Sequence, residues 1–141
     1  MVDEYRLERF VRAQDHDGTY ERAVAELRAG RKASHWMWFI FPQIAALGRS
    51  PTAREFAISS LAEARAYLSH PVLGPRLTGC AQIVTGINGK SAADIFGPLD
   101  AMKLRSSMTL FLTAAPGEPV FREVLDKYFQ GSLDTETTAR L

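Results

Sequence analysis

Ser34-His35-Trp36-Met37-Trp38-Phe39-Ile40-Phe41-Pro42-Gln43 is the stretch that decides the fold class. It is apolar on every side, so it must be buried whichever way the backbone winds. Its aromatic-rich composition suits a strand. No other stretch reads as a convincing strand, however, and a lone buried strand leaves its N–H and C=O groups unpaired. The segment is therefore expected to form a short buried helix or turn inside an all-α protein.

Helical punctuation surrounds that segment. Tyr5 to Gln14 places Leu7, Phe10, Val11 and Gln14 at helical spacing, and Asp15-His16-Asp17-Gly18 breaks the pattern. Thr19 is expected to cap a second helix with the stripe Tyr20, Ala23, Val24 and Leu27, stopped by Gly30. Downstream, Ser50-Pro51 starts a helix running to about Ser59. Ser60-Leu61-Ala62-Glu63 has the capping-box pattern and opens a helix through Leu68, ended by His70-Pro71. Val72 to Thr85 follows, irregular at Gly74-Pro75, and Ser91-Ala92-Ala93-Asp94 is a second box opening one turn before Gly97-Pro98. Asp100 is expected to cap Ala101 to Thr113, whose core stripe is Leu104, Met108, Phe111, Leu112 and Ala115. Pro119 to Phe129 is another amphipathic helix, Gly131 ends it, and Asp134 caps a short C-terminal turn. With no repeat, linker or low-complexity segment, residues 1–141 read as a single domain. Its fold is expected to be a compact multi-helix orthogonal bundle of about eight short helices.

Composition narrows the function classes. The 141 residues are 46% hydrophobic and 23% charged, as in a folded globular protein. Seventeen Lys+Arg against sixteen Asp+Glu leave a net charge of +1, so no global field favours nucleic acid or an anionic membrane. Cys80 is the single cysteine, which excludes an internal disulfide and any multi-cysteine zinc site. The charged N-terminal residues contain no signal-peptide core, and Trp36 to Pro42 is too short to cross a bilayer. A cytoplasmic protein is expected.

The near-neutral total conceals a local asymmetry. No carboxylate lies between Glu26 and Glu55, where Arg28, Arg31, Lys32, Arg49 and Arg54 accompany His35, Trp36, Trp38 and Gln43. A second acid-free stretch, Ala101 to Gly117, carries Lys103 and Arg105 beside Ser106 and Ser107. If the two meet, they form a cationic, aromatic-lined concavity suited to phosphate or carboxylate ligands, since guanidinium forks grip oxyanions and indole faces stack on planar rings. Lys103, Ser106 and Ser107 stand at i, i+3 and i+4, one turn into their helix, where the helix dipole also favours an anion. The blander alternative makes Lys103 and Arg105 solvated surface charges and the serines small packing residues. His35 is read either as an acid/base or as a core histidine bonded to a carbonyl. Trp36 and Trp38 are read either as stacking platforms or as core. His16 is expected to be exposed and inert, His70 structural, and Cys80 a buried small hydrophobe. HExxH, EF-hand, GxSxG, Walker and GxGxxG patterns are all missing, so no metal or cofactor is expected.

The stretch Gly30 to Gln43 resembles the signature of a bacterial domain-of-unknown-function family, whose members are filed as uncharacterised conserved or "calpastatin-like" proteins. The resemblance continues through Phe56-Ala57-Ile58, Glu63-Ala64, Tyr67-Leu68, His70 to Gly74, Ile95-Phe96-Gly97 and Lys103 to Phe111, covering essentially the whole chain. It implies a mainly α-helical fold and carries no activity with it. Calpain-inhibiting segments are unfolded until bound, whereas this composition buries a core. Helical content, small size and a cationic pocket also resemble helical enzymes that hydrolyse N-glycosidic bonds of phosphorylated ribosyl compounds, a likeness of fold level only.

Three functions compete on these residues, with nucleic-acid binding a poor fourth, since five local charges could grip a backbone but a pI near 7.9 is low for such work. In the first, the protein binds a small phosphorylated, nucleotide-like metabolite and hydrolyses its N-glycosidic bond. Arg31, Lys103 and Arg105 would hold the oxyanion, Trp36 or Trp38 would flank the ring, and Gln43, Ser106 and Ser107 would complete the ligand contacts. His35 or Asp100 would act as acid/base. In the second, the same pocket binds without turnover. The third is a protein-interaction module, which requires an exposed apolar patch, and Ser34 to Gln43 is the only segment apolar enough to form one. Oligomeric state is not legible in the sequence.

Overall fold

Helix succeeds helix from one end of the chain to the other. The computed structural model describes residues 3–141. They run as α1 (Glu8–Asp15), α2 (Thr19–Arg28), α3 (Met37–Ile40), α4 (Pro51–Glu55), α5 (Leu61–Ser69), α6 (Leu73–Thr85), α7 (Ala92–Phe96), α8 (Pro98–Ala114), α9 (Pro119–Phe129) and α10 (Thr135–Thr138), with a 3-10 turn at His16–Gly18. Among the described residues there is no strand, only one parallel bridge between Ile44 and Ile58. The all-α expectation therefore holds, with several helices only a turn or so long.

The apolar stretch around α3 is core. Trp36, Met37, Ile40 and Phe41 are at most 2% exposed. A one-turn helix meets only part of the segment's backbone demand, and neighbouring bonds meet more: Phe41 N donates to Met37 O, Ile58 N to Gln43 O and Ala45 N to Ile58 O. Burial of those four side chains weakens the case for a protein-interaction surface on this segment, where His35 is exposed and Trp38 and Phe39 are half-buried.

α8 is the central helix, packed against α5, α7, α9 and α10. Leu104, Met108, Leu110 and Phe111 are fully buried along it. Around α8 and α1 the core closes through tilted and edge-on rings, such as Phe10 against Tyr67 (5.1 Å, 83°) and Tyr67 against Phe111 (5.4 Å).

Several helix ends differ from their sequence signals, each for a local reason. α1 starts at Glu8, not Tyr5, because the Asp3 carboxylate accepts the N–H groups of Leu7 (2.8 Å) and Glu8 (3.0 Å) from outside the helix. Thr19 does not cap α2; its hydroxyl donates to His16 O at 2.7 Å, and Gly18 (φ 68°) makes the turn. α4 stops at Glu55 because the chain must extend at Ile58 to bridge Ile44. Ser60 Oγ accepts the Glu63 N–H, but the Glu63 carboxylate turns away to Ser59 and to Arg9 (3.0 Å), so only half of that box forms. The Ser91–Asp94 box is complete. α8 begins at Pro98, so Asp100 lies inside its first turn and is free for another use.

Candidate functional site

The two acid-free stretches meet. Lys32 N donates to Ile95 O (2.7 Å), which docks the segment before α3 against α7 and the start of α8. There Asp100 is held between two ammonium groups, Lys32 Nζ at 2.8 Å from Oδ2 and Lys103 Nζ at 2.9 Å from Oδ1. Asp100 and Lys103 share a helix face because they are three residues apart. The Lys32 side chain is 8% exposed and that of Lys103 is 27% exposed. Lys32 also donates to Ser34 O at 2.6 Å. Burial alone would raise the Asp100 pKa, but hydrogen bonds and charge from Lys32 and Lys103 outweigh it, and the carboxyl is held below its ordinary range. One carboxylate thus serves two cations, and the more accessible of them, Lys103, carries surplus positive charge.

Beyond Lys103 a cleft of about 410 Å³ opens between α8 and the C-terminal residues. That volume lies within the range of small-molecule sites, roughly 300–1,000 Å³. Gln43, Lys103, Arg105 and Ser106 supply polar groups to it, Leu47, Leu99 and Met102 an apolar side, and Asp134 and Glu136 an acidic one. Leu99 and Met102 are 74% and 67% exposed, the most exposed large hydrophobic side chains among the described residues. Arg105 is bound only by neutral acceptors: Nε donates to Ser132 O (3.0 Å), and Nη2 to Ser132 Oγ (2.6 Å) and Leu133 O (2.8 Å). Its charge is uncompensated by any ion pair among the described residues.

The remaining sequence-derived candidates lie elsewhere. Trp36 is 1% exposed and donates its indole N–H to Glu26 at 2.9 Å, so it has no open face for a ligand ring. Ser107 is fully buried with no hydrogen-bond partner, on the core side of α8. His35 is exposed and not sealed against a carbonyl; neither it nor Arg31, also exposed, lines the cleft. Trp38 is intermediate: Lys103 Nζ stands 4.4 Å from its ring centroid, and its buried Nε1 has no acceptor. Asp100 reaches the cleft only through Lys103. Ser106 Oγ lies 3.1 Å from both Met102 O and Asp134 Oδ2.

Sequence reasoning missed Leu47, Leu99, Met102 and Glu136 as site residues, and saw Asp134 only as a cap. Part of that signal was available. At 100° per residue, Leu99 and Met102 lie across α8 from the stripe Leu104, Met108 and Phe111. The acidic side had no such signal, because it comes from distant sequence.

Glu26 organises the approach to this region. Its carboxylate accepts from Ala33 N (2.7 Å), Ser34 N (3.0 Å), Ser34 Oγ (2.6 Å) and Trp36 Nε1 (2.9 Å). Burial opposes ionisation, yet these four donors bring its pKa down to about 2. No group of three or more His, Cys, Asp or Glu side chains among the described residues is arranged to hold a metal ion, and no helix among them is long and apolar enough to cross a membrane.

A family model described as "Protein of unknown function (DUF1810)" matches residues 4–141. The chain is similar over 99% of its length to the conserved hypothetical protein Rv1873 from Mycobacterium tuberculosis, a crystal structure. The two share 51% identity and a TM-score of 0.95, and the match covers 98% of that chain. No curated protein matches this sequence.

Proposed function

We propose, for a chain that belongs to the DUF1810 family of proteins of unknown function, that the cleft beside α8 binds a small phosphorylated, nucleotide-like metabolite. The observation carrying this reading is two cations in one cleft, Arg105 without an ion pair among the described residues and Lys103 with only a shared one. Lys103 shares a carboxylate already satisfied by Lys32, and Arg105 is held by carbonyls and a hydroxyl. A cation whose counter-charge is missing gains most from an incoming oxyanion, and charge-assisted bonds to phosphate are among the strongest polar contacts available. Gln43 adds a neutral polar group, and Leu47, Leu99 and Met102 offer apolar surface for a ring.

For Asp100 and His35, the two residues read as acid/base, binding without turnover fits better than N-glycosidic hydrolysis, and among the described residues the free carboxylates of the cleft are Asp134 and Glu136 instead. Such hydrolysis needs a carboxylate free to activate water or to deliver a proton. Both Asp100 oxygens are taken by ammonium groups, its carboxyl is ionised at neutral pH, and His35 does not line the cleft.

The test is calorimetric titration with AMP, adenosine and inorganic phosphate, with tryptophan fluorescence as a second readout because Trp38 lies under Lys103. AMP is expected to bind more tightly than adenosine, and Lys103→Ala to weaken it about tenfold. Arg122→Ala, exposed on α9, serves as the control without effect. Equal weak binding of all three compounds, or an unchanged affinity in Lys103→Ala, would overturn the reading.

A further inference from the structure

Resting on that reading of the cleft, we propose that residues 132–138 form a selecting wall, anchored by Arg105, which favours ligands carrying a hydrogen-bond donor beside their oxyanion. Gln130 (φ 54°) and Gly131 (φ 73°) reverse the chain after α9 and return it across α8. α8 then grips it along three successive residues. Arg105 takes Ser132 O, Ser132 Oγ and Leu133 O; Ser106 Oγ lies 3.1 Å from Asp134 Oδ2; and Asp134 N donates to Thr109 Oγ1 at 2.9 Å. Asp134 Oδ2 also accepts from Thr137 N (3.1 Å), and Thr137 is fully buried. These bonds are spent on carrying Asp134, Thr135 and Glu136 to the cleft.

The consequence is a division of labour inside one cavity. Lys103 and Arg105 attract an oxyanion, while Asp134 and Glu136 repel one and accept hydrogen bonds. Asp134 Oδ2 is occupied, whereas Oδ1 and the Glu136 carboxylate receive no hydrogen bond among the described residues. A ligand that is anionic at one end only leaves these acceptors unserved. A hydroxyl or amino group reaching them gains a charge-assisted bond, so the wall selects a ribose- or amine-bearing phosphate over an apolar phosphate. Arg105 is a positioning residue for this wall as well as a cation of the cleft.

Two measurements on the full chain test the inference separately. Hydrogen exchange without ligand reads the anchor: Arg105→Ala is expected to speed exchange of the amides of residues 134–138 at least about tenfold, leaving α6 and α9 unchanged. Unchanged exchange in the wall overturns the anchoring role. Calorimetry with AMP and phenyl phosphate reads selection: both carry the oxyanion and a ring, and only AMP carries hydroxyl and amino donors. The wild type is expected to prefer AMP, and Glu136→Ala, an exposed position, to reduce that preference about tenfold. Equal affinities in the wild type, or a preference surviving Glu136→Ala, overturn the wall while leaving the phosphate cleft standing. Failure of both compounds to bind the wild type overturns the cleft and the wall together.

Discussion

Lys32 Nζ stands 2.8 Å from Asp100 Oδ2, joining the segment that leads into α3 to the first turn of α8 across 68 residues of sequence. The Lys32 side chain is almost fully buried, and it has a second acceptor in Ser34 O. Lys103 meets the same carboxylate from a more open position. The pair is therefore structural on its Lys32 side and available to a ligand on its Lys103 side.

That asymmetry predicts unequal costs. Asp100→Asn leaves two ammonium groups without their counter-charge and is expected to lower unfolding free energy by about 3 kcal/mol. Lys103→Ala leaves Asp100 paired with Lys32 and is expected to cost under about 1 kcal/mol. Urea unfolding of the two variants gives the comparison, and a Lys103 variant as damaged as Asp100→Asn would refute the assignment.

Glu26 makes stability depend on acid. Its folded pKa, about 2, lies below its ordinary value of 4.5, so its contribution is fully present above about pH 4.5 and is lost as pH falls toward 2. The shift corresponds to about 2 kcal/mol once solvent screening of a half-buried group is allowed for. Asp100, also depressed, adds to the same trend. Glu26→Gln should lower stability at pH 7 and flatten the acid limb between pH 4.5 and 2, as followed by circular dichroism.

Two glycines of α6 separate close packing from helix propensity. A Cβ at Gly74 would stand 2.1 Å from Leu68 O, a backbone atom of α5 that cannot step aside. Gly74→Ala is expected to cost about 3 kcal/mol by forcing α5 and α6 apart. A Cβ at Gly79 meets nothing within 4 Å, so Gly79→Ala should stabilise the protein by about 0.5–1 kcal/mol. Thermal midpoints moving in opposite directions would bear this out.

Cys80 is buried in α6, and burial pushes its thiol up to about 12. Thiolate is the reactive form, so a disulfide reagent at pH 8 should label the native protein only at the rate of unfolding, and label it at once in urea. Rapid native labelling would show that α6 opens locally.

The legible features were those with local causes. Ser91 and Asp94 close a capping box that needs only four consecutive residues, and Pro119 begins α9 where its ring fits the first helical position. The Ser60 box failed halfway because Arg9, from another helix, offers Glu63 a charge-assisted bond that an N-cap amide does not match. The same competition reassigned Asp100, read as a cap, to two lysines.

The sequence by itself determined that this chain is helical, that the apolar heart of Ser34 to Gln43 (Trp36, Met37, Ile40 and Phe41) is interior, and that cationic residues gather in two stretches free of carboxylates. Periodicity, capping chemistry and apolar content act over a few residues and survive without a fold. Only the tertiary structure decided which of those cations lack a partner and which carboxylates face them. Asp100 joins Lys32 to Lys103, and residues 132–138 return under Arg105, through contacts between segments far apart in the chain. Electrostatic balance in a cleft depends on distance in space, and spacing along the sequence does not encode it.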